Sequence, residues 1–197
     1  MPTVLLTAYE PYDDWPENAS WLVLKELARD LPSEPEVTTR LYPVEFAALK
    51  ERLAADMQAD YDYTLHLGQA PGRASIALET IGLNIALDRD AADEETRPLV
   101  DDGPLAYQSA LPLANYAIGL REYGVPAHVS FHAGTYLCNA ALYLSHYFAE
   151  SRSLKTRSVF LHVPLDPAQV LAQNRDLPSL PAQTTTAAVR WLLAQLQ

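Results

Sequence analysis

Cysteine is almost absent: the chain of 197 residues has one, Cys138. A lone thiol forms no internal disulfide, so the expected compartment is a reducing cytoplasm. No apolar run approaches the length that crosses a bilayer. No basic segment, apolar signal core or cleavage site precedes the strand-like run Thr3-Val4-Leu5-Leu6-Thr7, and no export signal is expected. Basic residues are few, 14 Lys and Arg against 25 Asp and Glu, giving a formal charge of −11. That balance disfavours nucleic acid and anionic membranes as partners, because both are bound through basic patches. The acidity clusters from Asp88 through Glu95 and at Asp101-Asp102, and reads as solvated loop. No His or Cys stands at ligand spacing beside it and no calcium-loop pattern occurs, so no metal is expected there. Internal repeats, low-complexity tracts and shifts of composition are also missing. Residues 1–197 therefore read as a single domain.

What is present is an alternation of strand and helix patterns. Val4–Thr7 reads as a buried first strand, and Tyr9–Glu17 as a loop of aromatic, acidic and proline residues. Asn18 or Ser20 can cap a helix through Trp21, Leu22, Leu24 and Leu27, which ends near Pro32. Val37–Tyr42 is strand-like, and Phe46, Leu49, Leu53 and Met57 recur at helical spacing. Tyr63–Leu67 is a short apolar run that Gly68 is expected to stop. Ala74–Leu78 and Ile81–Leu87 are strand-like, Leu113–Arg121 is helical up to Gly124, and Ala127–Ser130 resumes as strand. A helix with the stripe Leu137, Ala140, Ala141, Leu144, Tyr147 and Phe148 follows. Ser158–Val163 is a last buried strand and Thr184–Leu196 a closing amphipathic helix. The expected fold class is α/β: a three-layer α/β/α sandwich, with helices on both faces of a mostly parallel, mixed sheet.

Three residues raise the prospect of nucleophilic chemistry. Cys138 lies in Ala133-Gly134-Thr135-Tyr136-Leu137-Cys138-Asn139, in the first turn of its helix and one step off the apolar stripe. A free cysteine on a helix is commonly packing, but a helix N-terminus lowers a thiol's pKa, and N–H groups near Cys138 and Asn139 can bind an oxyanion. Of five histidines, His66 sits mid-strand and His146 mid-helix, which suggests structural roles, while His128 and His132 flank the strand before Cys138. His162, at a strand end before Pro164, is the better-placed base. Glu79 interrupts the apolar run Ile76-Ala77-Leu78-Glu79-Thr80-Ile81; it either faces solvent or is buried to orient an imidazole. Because active sites in such sheets gather where strands hand over to helices at one edge, Cys138 and His162 are expected to share a crevice.

Four blocks resemble one family. They are Val4-Leu5-Leu6-Thr7-Ala8-Tyr9-Glu10-Pro11-Tyr12 with Asn18 and Trp21; Gly68-Gln69-Ala70-Pro71-Gly72-Arg73 through Glu79, Asn84 and Arg89; Asp101-Asp102-Gly103-Pro104-Leu105-Ala106-Tyr107 with Leu111-Pro112; and Ser130 with the Ala133–Asn139 stretch, followed by Leu161-His162-Val163-Pro164. In that order they span nearly the whole chain, and they resemble pyroglutamyl peptidase I, the pyrrolidone-carboxylate peptidase family of cysteine peptidases. The resemblance implies Cys138 as nucleophile, His162 as base and Glu79 as orienting acid. It implies Gln69 and Asn18 as polar positions of a pyroglutamate pocket, Tyr9, Tyr12, Tyr136 and Leu137 as its lining, and Arg89 as a support near the catalytic centre. It also implies cofactor-free hydrolysis of peptides with N-terminal pyroglutamate, in a cytoplasmic homodimer or homotetramer.

The chain departs from the family pattern around the pocket. Ala8 stands for a glycine, Tyr9 and Tyr12 for two phenylalanines, and Asp13-Asp14 for a glycine pair. Pro71 displaces a glycine, Thr80 replaces an arginine, and Phe131-His132 replaces a small polar pair. Two other functions stay open on these departures: a cysteine amidohydrolase of the same fold with altered acyl specificity, and a peptide-binding relative without turnover.

Overall fold

The computed structural model describes residues 1–88, 91–92 and 95–196. Six strands build the main sheet: β1 (Thr3–Tyr9), β2 (Glu36–Tyr42), β3 (Tyr63–Gln69), β4 (Ile76–Glu79), β7 (Ala127–Ser130) and β8 (Arg157–Val163), in the order β2-β1-β3-β8-β4-β7. The run from β2 to β8 is parallel, whereas β4 pairs antiparallel with β8 and parallel with β7. Two short strands, β5 (Ile81–Leu83) and β6 (Ala106–Gln108), form a separate antiparallel ribbon.

Alternation along the strands divides the core in two, because successive side chains point to opposite faces. Val4, Leu6, Leu65, Leu67, Val159 and Leu161 pack on one face with α1 (Ala19–Ala28), α3 (Leu113–Glu122) and α6 (Ala182–Gln195). Leu5, Tyr9 and Phe160 face the other side, towards α2 (Phe46–Asp56) and α4 (Leu137–Ser151). The result is the expected three-layer α/β/α arrangement with a mixed sheet. Of the stripe expected on α4, Leu137, Ala140, Ala141, Leu144 and Phe148 are buried and Tyr147 packs at their margin.

Two local expectations change, and one helix is added. Gly68 does not stop β3, which continues through Gln69, because a strand buried on both sides tolerates glycine where a neighbour needs the space. The run 81–87 is a strand only over Ile81–Leu83, after which Ala86 makes a lone bridge to Arg97. A short helix α5 (Pro167–Ala172) follows β8, opened by a capping box of Asp166 and Gln169 with Pro167 at its first position.

The loop 10–18 is held on several sides. Asp13 adopts φ 57°, a left-handed conformation that Asp tolerates better than most residues. Trp15 is buried and stacked under Arg175, whose guanidinium pairs with Asp14 at 3.0 Å. The side-chain amides of Gln169 and Gln173 donate to the carbonyls of Glu17 and Asp14.

Candidate active site

The site lies where β3 and β8 end, on the α2/α4 face. Gly68 and His162 are direct partners in the β3–β8 ladder. In the antiparallel β4–β8 ladder Ala77 opposes His162 and Glu79 opposes Phe160, so Glu79 is the diagonal, same-face neighbour of His162. The diagonal brings His162 Nδ1 to 2.7 Å from Glu79 Oε1. Glu79 is 0% exposed, which answers the solvent-facing alternative. Arg73 Nη2 approaches the same oxygen at 3.4 Å from the half-buried side.

Cys138 reaches this point by a longer route than connectivity suggested. β7 is antiparallel to β8, and its last residue, Ser130, lies level with Glu79 and Phe160, well down the sheet. The segment 131–136 must climb back before α4 begins, turning at Gly134 with φ 83°. The crevice is shared, as expected, but because of this return and not because β7 and β8 end at one edge. α4 has no side-chain cap on its first N–H groups. Ala140 is the first residue whose N–H bonds back into the turn, to Tyr136 O at 3.0 Å, so the N–H groups of Leu137, Cys138 and Asn139 lack intrahelical partners and Cys138 sits among them. The neighbouring Asn139 is spent on structure, bonding Leu83 N, Leu83 O and Ile85 O through its side chain.

Two buried histidines on this face show what sets charge here. His66 sits between Thr7 Oγ1 and Ser145 Oγ, each 2.7 Å away, and burial pushes its pKa down to about 3. Burial pushes His162 down as well, but attraction to Cys138, a hydrogen bond with it, and the bond and charge of Glu79 outweigh that and raise it to about 9. Partners, not depth, separate the two. The other histidines are occupied or discharged: His146 is pushed by burial down to about 4, His128 bonds Ser75 Oγ at 3.0 Å, and His132 Nδ1 accepts from Gly134 N–H.

A small cavity of about 70 Å³ opens beside the sulfur, lined by Tyr9, Tyr12, Asn18, Val44, Gly68, Gln69, Tyr136, Leu137 and Cys138. None of these side chains carries a fixed charge. Asn18 is the N-cap of α1, accepting from Ser20 N–H and Ser20 Oγ–H and donating to Glu10 O, so its polar atoms chiefly hold the loop. Gln69 Oε1 accepts from Ala19 N–H and from Gln169 Nε2–H, both at 2.7 Å, which fixes the amide's orientation and leaves its own Nε2 donor without a partner. Tyr12 Oη–H donates to Gln69 O, and Tyr136 packs edge-on against Phe46. Arg89 lies outside the described residues. Among those described, no group of His, Cys, Asp and Glu is arranged to hold a metal ion.

Residues not singled out from sequence complete the site. Phe160 supports the His162 ring at 4.9 Å between centroids, and its position two residues earlier on the same strand was the available signal. Gln169 was signalled only by the Asp-Pro-Ala-Gln capping pattern, and Arg73 by its place in the second block. Gly68 leaves the space that Phe160 and the sulfur occupy: a Cβ there would stand 2.4 Å from Phe160 Cζ and 3.1 Å from Cys138 Sγ. Gly68→Ala is expected to destabilise the fold by ~1–3 kcal/mol through this overpacking. It should also slow alkylation of Cys138 in the folded protein; a variant as stable and as reactive as wild type would refute the spacing argument.

A thiol on an uncapped helix end, bonded to an imidazole that a buried carboxylate grips from behind, is how cysteine-type hydrolases are organised, and fold and site together put the chain in that class. The chain belongs to the pyroglutamyl peptidase family, whose sequence model matches residues 2–195. It is 34% identical over 201 residues to the pyrrolidone-carboxylate peptidase of Clavibacter michiganensis subsp. michiganensis, covering 98% of this chain and 94% of the relative. Among solved structures it superposes on pyrrolidone carboxyl peptidase from Fervidobacterium islandicum with TM-score 0.91, at 30% identity over 100% of this chain and 98% of the other. A mutant pyrrolidone carboxyl peptidase from Pyrococcus furiosus gives 0.90 at 31% identity, over 98% and 97% of the two chains.

Proposed function

We propose that this enzyme removes N-terminal pyroglutamate from peptides, with Cys138 as nucleophile, His162 as acid and base, and Glu79 as the residue that orients His162. The 2.7 Å contact between Glu79 and an imidazole that is itself bonded to Cys138 carries the reading. His162 holds the sulfur's proton, and the thiolate adds to the carbonyl carbon of the pyroglutamyl residue. The N–H groups at the start of α4 stabilise the oxyanion. The C–N bond then breaks as His162 gives its proton to the leaving amine, which departs as the shortened peptide. His162, now neutral, takes a proton from water; the hydroxide adds to the thioester, and pyroglutamate and Cys138 are released.

The cavity supports the acyl specificity. Pyroglutamate is a neutral lactam, and an uncharged, aromatic slot with one free amide donor suits it better than a charged N-terminus, whose desolvation nothing in the slot offsets. Arg89 keeps its proposed supporting role, and a homodimer or homotetramer in the reducing cytoplasm remains the proposed context. No helix among the described residues is long and apolar enough to cross a membrane.

A panel of fluorogenic amides tests the substrate. The pyroglutamyl amide should exceed the prolyl amide, which has the same ring size but a cationic nitrogen, by at least ~100-fold in kcat/KM. Comparable rates across the panel would favour the amidohydrolase of altered specificity, and no turnover on any member would favour the peptide-binding relative.

A further inference from the structure

Tyr9 lines the cavity and brings a hydroxyl to its wall. β1 and β3 pair in parallel with Thr7 opposite His66. Continuing that register by two residues puts Tyr9 beside Gly68, and Gly68 is beside His162. Across three strands the same face therefore reads Tyr9, Gly68, His162, with Cys138 Sγ over the glycine. The sulfur has an imidazole on one side and a phenol on the other.

The phenol is in an unusual state. Tyr9 is 3% exposed, with its ring packed against Tyr42 and Phe160. Its hydroxyl is buried and has no hydrogen-bond partner among the described residues. Burial first, then the charge of Cys138, then Tyr42 hold its pKa well above the ordinary phenol value, so it stays a neutral donor at any working pH. A buried hydroxyl without a partner is costly unless a ligand supplies one.

The second buried donor without a partner in this cavity is Gln69 Nε2, on a residue 4% exposed. The acceptors nearby are already used: Asn18 Oδ1 takes two hydrogen bonds from Ser20, and Gln69 Oε1 takes two more. The cavity thus offers two donors to one small occupant, and a carbonyl oxygen with two lone pairs satisfies both.

We propose that the Tyr9 hydroxyl donates a hydrogen bond to the lactam carbonyl of the bound pyroglutamyl group, sharing that oxygen with the Gln69 amide. The inference rests on the pyroglutamyl-peptidase reading and deepens it: Tyr9 is a specificity-determining residue as well as an apolar wall. The sulfur is not the hydroxyl's partner in the free protein, since no bond joins them.

The test compares wild type with Tyr9→Phe on two reporters, the pyroglutamyl amide and a cyclopentanecarbonyl amide of the same ring size without lactam atoms. Iodoacetamide labelling of Cys138, with and without 2-pyrrolidinone as protecting ligand, is measured alongside. The ratio of kcat/KM for the two reporters should fall about tenfold in Tyr9→Phe, with KM carrying most of the change. Protection by 2-pyrrolidinone should weaken by a similar factor. An unchanged ratio in active enzymes overturns the inference and leaves the peptidase reading intact. Equal losses on both reporters with slowed labelling overturn it in favour of a contact to sulfur. If wild type turns over neither reporter the peptidase reading fails, and 2-pyrrolidinone then decides: protection of wild type but not Tyr9→Phe upholds the lactam contact, and protection of neither, or of both equally, overturns it.

Discussion

Cys138→Ser is expected to lower kcat/KM on a pyroglutamyl amide by ~10⁴-fold or more, the scale seen when a nucleophile that works as a unit with its base is lost. The alcohol oxygen is far less acidic than the thiol and forms no comparable charge pair with an imidazole. Folding should be nearly unaffected, because Cys138 is half-buried at the cavity's edge and serine keeps the helix start; a stability change within about 1 kcal/mol is expected. A third readout separates chemistry from packing. Attraction to the sulfur and the hydrogen bond with it are the leading causes that lift His162 to about 9, so the imidazole titration should drop in the serine variant. NMR of the histidine ring would follow it. Retained turnover, or an imidazole that titrates as in wild type, would remove Cys138 from the mechanism.

Glu79→Gln should cost ~10³–10⁴-fold in kcat, because the amide can present its N–H₂ to Nδ1 and hold the wrong tautomer, as happens when an orienting carboxylate is made an amide in other triads. The pH dependence has a definite sign. His162 titrates at about 9 in the folded protein and near the ordinary ~6.5 unfolded, so between those values the folded state binds the extra proton. Stability from the charged pair is therefore present in full below ~6.5 and is lost as pH rises through about 9. The gap in melting temperature between wild type and Glu79→Gln should narrow across that window. A gap that stays constant, or widens, would show that Glu79 does not sense the charge on His162. Arg73, 3.4 Å from the same carboxylate oxygen, keeps some positive charge near Glu79 when His162 is neutral, so the gap need not close fully.

Most of the fold was legible because its signals are local. The continuous buried runs at residues 4–7 and 158–163, the strand-like run at 37–42 and the helical spacing of Phe46, Leu49, Leu53 and Met57 each record surface that must be buried. The misread pieces are those where local preference and tertiary need disagree. Gly68 reads as a stop, yet it lies inside β3 because Phe160 and Cys138 need the volume its missing side chain leaves. β6 is three partly exposed residues with no periodicity to detect, and it exists because β5 offers it an edge. Asp13 takes a left-handed φ of 57°, which no periodic signal announces.

The sequence by itself determined the residue types of the site and their order, the uncharged character of the pocket-lining positions, and the α/β alternation. Periodicity carries the alternation and the family resemblance carries the site positions, and neither needs knowledge of which strand meets which. Only the tertiary structure decided that β4 runs against β8, which turns Glu79 from a strand acid with an open fate into the buried diagonal partner of His162. It also decided which buried histidine is pushed towards the charged form, since His66 and His162 are equally apolar in surroundings along the chain and differ only in partners brought from distant segments. Register and strand direction are set by the summed packing of two faces over the whole sheet. No single segment encodes that sum, and the chemistry of the site depends on it.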